Sequence, residues 1–293
     1  IMKEYRSIRE PAVAGQFYDY EPKRLKNQIL TFLKDAKEKK KTDLKTRAII
    51  VPHAGYIYSG KTAAKAFSLL EEKSYERALI IAPSHRYRFY GLAYSNFDSF
   101  ATPLGEIETD KDSLAKIAKK SNYIQSLERA HANEHSLEVE LPFLQVVQPK
   151  IRIIPLICGM IDDHITDEIA NILSTFWNEE TIWIISSDFT HYGLSFGYLP
   201  FSTGNIIEKI KKLDLGAVEK ILDINYTAFS NYIEETEATI CGEKPIKILL
   251  KTLEKSVDRQ KIKTELIDYT NSADISGDIS HCVSYVSIAF FSK

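Results

Sequence analysis

Three of the seven histidines in this chain of 293 residues share one local setting. His53 follows the apolar run 48–51 (AIIV) and Pro52. His85 follows 78–82 (ALIIA), Pro83 and Ser84. His191 follows 182–185 (IWII) and the segment SSDFT. Short runs rich in β-branched residues read as buried strands of a parallel sheet, and proline ends such a run because it cannot donate to the ladder. In open α/β sheets, ligands bind in the crevice beyond the carboxyl ends of the strands. Three histidines delivered to that end predict one convergent site. A neutral imidazole is the commonest nitrogen donor for zinc, iron and copper, so His53 and His85 are read as metal ligands. Asp188 and His191 stand three residues apart. They could ligate, act as an acid–base pair above a metal, or orient ligands without doing chemistry.

Cys241 lies in TICGEKP, at the amino end of a helical pattern. Unpaired N–H groups and the helix dipole there favour a thiolate, which is both a nucleophile and a metal ligand. The competing reading is a small buried apolar residue. Gly242 beside it suggests that the backbone approaches something closely. Cys158 and Cys282 sit in strand-like apolar runs and read as core. Residues 131–135 (HANEH) match the H-x-x-E-H of inverted zinc peptidases. That chemistry needs both histidines on one helical face. Asn133 and Ser136 are cap-like and Pro142 interrupts, so no peptidase is expected, although Glu134 and His135 are expected in the same cleft. No glycine-rich phosphate loop or G-x-G-x-x-G follows any strand, which argues against nucleotide binding.

The elements that must hold these residues alternate between strand and helix. Pro22 opens a helix with Leu25, Ile29, Phe32, Leu33 and Ala36 on one face. Residues 37–45 form a charged connector, read as a solvated helix end. Ser59 is a candidate cap for the helix after the first strand. Residues 91–110 alternate and turn as short edge strands, and Asp110 caps a helix to about 119. A helix is expected near Ser136 with Pro142 in its first turn. Residues 151–158 form a strand and 166–177 a helix. Residues 203–235 are helical in pieces, with Asp214 and Asn225 as caps. Residues 241–253 form a clear amphipathic helix, and 261–269 and 282–291 are strands around a polar turn. This alternation predicts an α/β fold: a single domain, residues 1–293, with a largely parallel or mixed central sheet covered by helices on both faces.

Composition narrows the class. With 44% hydrophobic residues the chain is long enough for a sizeable core. A net charge of −2 supplies no global basic field for nucleic acid. No apolar run reaches the length of a membrane span, and the leading IMKEYRSIREP has no signal-peptide core. Three widely spaced cysteines are no disulfide framework, so a reducing, cytoplasmic location is expected.

Taken together, VPHAGYIYSG, APSHR, TPLGEIETD, NEHSLEVELPFLQ, SSDFTHYG and TICGEKPI resemble, in that order, the MEMO family, named after an animal mediator of cell motility. Prokaryotic members are called AmmeMemoRadiSam system protein B. The resemblance covers nearly the whole chain. It implies a fold similar to class III extradiol dioxygenases, which are non-haem iron enzymes. It also implies a metal site of His53, His85 and Cys241, with Asp188 and His191 as the pair beside it. Those dioxygenases complete their iron site with a carboxylate. Here Cys241 takes that place, and a thiolate suits softer ions such as Cu(I) or zinc and alters the iron potential. The expected cofactor is therefore a transition metal, iron or copper first and zinc next. The expected activity is a metal-dependent redox reaction on a small-molecule substrate. The alternative is a non-catalytic protein whose cleft holds a metal or a peptide; Phe17, Tyr18, Tyr56 and Tyr192 could line it in either case. The family name further implies radical-SAM and AMMECR1-type partners.

Overall fold

The computed structural model describes residues 6–37 and 44–292. At its centre four strands lie side by side and parallel: Lys45–Val51, Thr181–Ser186, Arg77–Pro83 and Arg152–Cys158. Their apolar runs are buried on both faces, as strands under helices on either side must be. Successive side chains take opposite faces. Ile50, Leu79, Ile81, Trp183 and Ile185 enter one core, and Ile49, Val51, Ile80 and Ile184 the other. The first core is closed by the helices Asp163–Leu173, Ile206–Leu222, Tyr226–Thr236 and Glu243–Ser256. Ile246, Leu249, Leu250 and Leu253 of the last present one apolar face to it. The second core is closed by Pro22–Lys37, Tyr56–Phe67 and Leu141–Val147.

Antiparallel strands flank this parallel centre. The long strand His281–Ser292 pairs with Lys45–Val51 and also carries Ile262–Asn271 and, near its start, His191–Gly193. At the far edge Leu92–Tyr94 runs antiparallel to Arg152–Cys158 and parallel to Ile124–Ser126. The result is a mixed nine-stranded sheet. Ile8–Arg9, Ser99–Thr102 and Gly105–Glu108 form a separate small sheet. The mixed α/β class expected from the sequence is the one observed, with helices on both faces.

Several local expectations change. Ser59 does not cap a helix. That helix starts at Tyr56, and the Ser59 hydroxyl donates to the Ala54 carbonyl. Asp214 is not a cap either. It is buried within Ile206–Leu222 and accepts hydrogen bonds from Thr190 and Tyr269. Asn225 and Asp110 do cap, accepting from Ala228 and Ser113. The helix expected near Ser136 is two pieces, His135–Glu138 and Leu141–Val147, with Pro142 in the first turn of the second. Residues 38–43 of the charged connector lie outside the described residues. No described helix is long and apolar enough to cross a membrane.

Candidate metal centre

His53 leaves the sheet just beyond Lys45–Val51 and is 2% exposed. Its backbone N–H donates to Asp188 Oδ1 at 2.8 Å, and its Nδ1 lies 2.7 Å from Ser186 Oγ. His85 leaves Arg77–Pro83 in the same direction but remains open to solvent. Glu134 holds it twice, accepting from the backbone N–H at 2.6 Å and from Nδ1 at 2.9 Å. A carboxylate only accepts, so the Nδ1 of His85 carries the proton and Nε2 is left with a lone pair. Carboxylate-oriented imidazoles of this kind are the usual form of metal-binding histidine.

The structure adds a third ring. His135 follows Glu134, which caps the short helix His135–Glu138 by accepting from the N–H groups of His135 and Ser136. The rings of His53, His85 and His135 have centroids 4.8–5.5 Å apart. One nitrogen from each falls within 4.8 Å of the others, so these three residues could hold a metal ion. Phe17 packs on His135 at 4.8 Å. Tyr18, Tyr56 and Tyr192 are buried, and their hydroxyls donate to Glu138, the Val139 carbonyl and the Phe201 carbonyl.

Cys241 comes from a distant part of the chain to the same place. Its Sγ is 3.3 Å from His53 Nε2 and accepts the Asp188 N–H at 3.2 Å. Gly242 makes this approach possible. A Cβ there would lie 2.3 Å from the Ser187 Cβ and 2.6 Å from the Ser186 carbonyl oxygen. The requirement is for space, since Gly242 has a φ of −91° that other residues adopt. Asp188 is 5% exposed and is placed by His53 and Cys241. His191 stands beyond it, its Nδ1 donating to the Thr239 carbonyl at 2.9 Å and its ring edge-on to Phe196.

The electrostatics favour neutral donors. Burial lowers the pKa of His53 well below the ordinary range, and His85, His135 and His191 lower it further. Burial and His85 hold His135 down at about 4. Imidazoles kept neutral keep the lone pair that a metal needs. Burial opposes the charge on Glu134, yet its hydrogen bonds from His85 and the nearness of the His85 and His135 rings prevail and hold it at about 2. Burial raises Asp188 above the usual carboxylate range. Burial and Asp188 push the Cys241 thiol well up. In the bare protein, desolvation thus outweighs the helix-end effect expected to favour a thiolate, and a cation must displace that proton.

Residues 9–289 match the family model described as Memo-like protein. The chain belongs to the Memo-like family. It is 33% identical to a "MEMO1 family protein" of Thermococcus onnurineus, over 97% of this chain and 99% of that one. A "MEMO1 family protein" of Sulfurisphaera tokodaii is 34% identical with the same coverage. A "Protein memo-1 homolog" of Caenorhabditis elegans is 31% identical, over 97% of this chain and 82% of its own.

Of the residues singled out from the sequence of this Memo-like chain, His53 and His85 stand in the cluster of three imidazoles, Cys241 and Asp188 touch His53 beside it, and His191 contacts Thr239 and Phe196. Sequence reasoning placed His135 in the cleft but did not propose it as a donor, and it missed the orienting roles of Glu134 and Ser186. The HANEH segment held the signal for the first two. It does not form one helix. His131 belongs to Glu128–Ala132 and its Nε2 donates to the Ala93 carbonyl, while His135 starts the next helix at the centre.

Proposed function

We propose that this protein binds one transition-metal ion through His53, His85 and Cys241, with His135 as a further donor, and uses it for a redox reaction on a small substrate. The observation that carries this reading is the cluster of His53, His85 and His135, with Cys241 Sγ 3.3 Å from the Nε2 of one member, His53. Sulfur and imidazole nitrogen together suit iron, copper or zinc. Iron or copper is proposed because each would supply one-electron chemistry, which zinc lacks.

The chain's own residues have separable tasks in this reading. Glu134 fixes the His85 ring, and Ser186 fixes His53. Asp188 accepts the His53 backbone N–H on its carboxylate and donates its own N–H to Cys241 Sγ, and so ties the two separate segments that carry them. His191 donates Nδ1–H to Thr239, so its Nε2 is free to take or give a proton at the substrate. His85 marks the open side, through which a substrate enters, and Phe17 offers it an apolar wall.

The test is metal content and turnover. Protein purified without chelator or air should hold about one equivalent of iron or copper per chain, and His53→Ala/His85→Ala should hold none while remaining folded. Cys241→Ser should weaken binding by about tenfold or more, far beyond Cys158→Ser or Cys282→Ser. Metal content unchanged in the double variant would overturn the site. Stoichiometric binding without any oxygen consumption or substrate turnover would overturn the redox role and leave a metal-binding protein. Normal affinity in His135→Ala would remove that residue from the donor set.

A further inference from the structure

Behind His53, away from the open side of the centre, a buried serine has more partners than its one proton can serve. Ser186 Oγ lies 2.7 Å from His53 Nδ1, 2.7 Å from the Ser136 carbonyl oxygen and 2.8 Å from Glu140 Oε1. A hydroxyl donates once and accepts twice. The Ser136 carbonyl can only accept, so it takes the serine proton. The other two contacts are hydrogen bonds only if His53 donates Nδ1–H and Glu140 donates a carboxyl proton. An ionised Glu140 would claim the serine proton for itself. The Ser136 carbonyl would then face the serine oxygen at 2.7 Å with no hydrogen between them.

We propose that Glu140 is a buried neutral carboxylic acid that acts as a positioning residue, donating Oε1–H to Ser186 so that Ser186 can hold the Nδ1–H of His53 and leave its Nε2 lone pair facing Cys241.

The surroundings of Glu140 support this. It is fully buried, and its Oε2 has no hydrogen-bond partner among the described residues. A bare carbonyl oxygen costs far less there than half of an unpaired carboxylate. Asp188 and Tyr56 face it and neither is a cation, and His53, which shares the Ser186 oxygen, is kept neutral by burial. Burial pushes Glu140 well above the usual carboxylate range, and Asp188 pushes the same way. A neutral acid orients the ring without adding charge at the centre.

Infrared spectroscopy of the metal-free protein tests the protonation. At neutral pH a protonated carboxyl C=O band should be present, should shift on [13C]glutamate labelling of the wild-type protein, and should vanish in Glu140→Gln. Absence of a glutamate-sensitive band from the wild type would overturn the proposal, and that measurement needs no variant to fold. Zn(II) titration tests the positioning and rests on the metal-site reading above. Glu140→Gln, whose amide N–H can replace the acid proton, should bind within about twofold of wild type, and Glu140→Leu should bind about tenfold more weakly. A tenfold loss in Glu140→Gln would show that a negative charge had been removed, and would overturn the neutral acid. If no variant binds Zn(II) but the infrared band behaves as expected, the metal site fails and the neutral acid stands.

Discussion

Acid should destabilise this protein through His131, a histidine outside the candidate centre. His131 is 2% exposed, its Nε2 donates to the Ala93 carbonyl at 2.9 Å, and Phe100 meets its ring edge-on. Burial, helped by the Arg9 guanidinium, holds its pKa down at about 4, against the Ala93 bond and Glu134, which favour the cation. In the unfolded chain the same ring titrates near about 6.5. As pH falls, the unfolded state therefore takes the proton first, and stability drops with it. The contribution of neutral His131 is complete above about pH 6.5 and is lost down to about pH 4. That gap corresponds to about 3 kcal/mol, most of which disappears between about pH 7.5 and about pH 4.5. His131→Gln keeps an N–H for Ala93 and cannot titrate. Urea unfolding of both proteins across this range isolates the term, because the other titrating groups are common to both. The stability difference between wild type and variant should shift by about 2–3 kcal/mol toward the variant at the acid end. Parallel stability curves would refute the reasoning, since His131 would then titrate alike in both states.

Gly242→Ala should cost about 1–3 kcal/mol by overpacking and should also weaken metal binding, because relief of the clash with Ser187 must move Cys241; denaturation and metal titration that both match wild type would contradict the crowding. Arg9 donates to Glu138 and to the carbonyls of His131 and Glu134, tying the amino-terminal arm to the segment that bears His135. Arg9→Met should therefore lose about 3–5 kcal/mol, the usual cost of stranding one partner of a buried ion pair, and a loss below about 1 kcal/mol in chemical denaturation would mean that Glu138 needs no cation. Peptide hydrolysis is expected to be absent, and Glu134→Gln should instead loosen His85 and lower metal affinity; proteolysis that disappears in Glu134→Gln would restore the peptidase reading of HANEH.

The residues that leave the sheet toward the centre were legible because their signals are local. A β-branched run cannot be exposed on either face, a proline or serine pair ends it, and whatever follows lies at the strand's carboxyl end. That reasoning placed His53, His85, Asp188 and His191 without any knowledge of partners. Gly242 likewise announced a close approach, although not that the neighbour would be Ser187. Local signals failed where the chain offers two uses for one residue type. Ser59 and Asp214 carry cap chemistry, yet each found a better partner in three dimensions, the Ala54 carbonyl for one and Thr190 with Tyr269 for the other. In HANEH, spacing alone describes one helix face. The carboxylate of Glu134, by bonding both to the amides after it and to His85, breaks the helix there and turns His135 into the centre. Cys241 meets His53, and Glu140 meets Ser186, across long stretches of chain. No periodicity encodes such contacts. They exist because packing helices on both faces of the sheet brings those segments together, and burial then decides which protons stay.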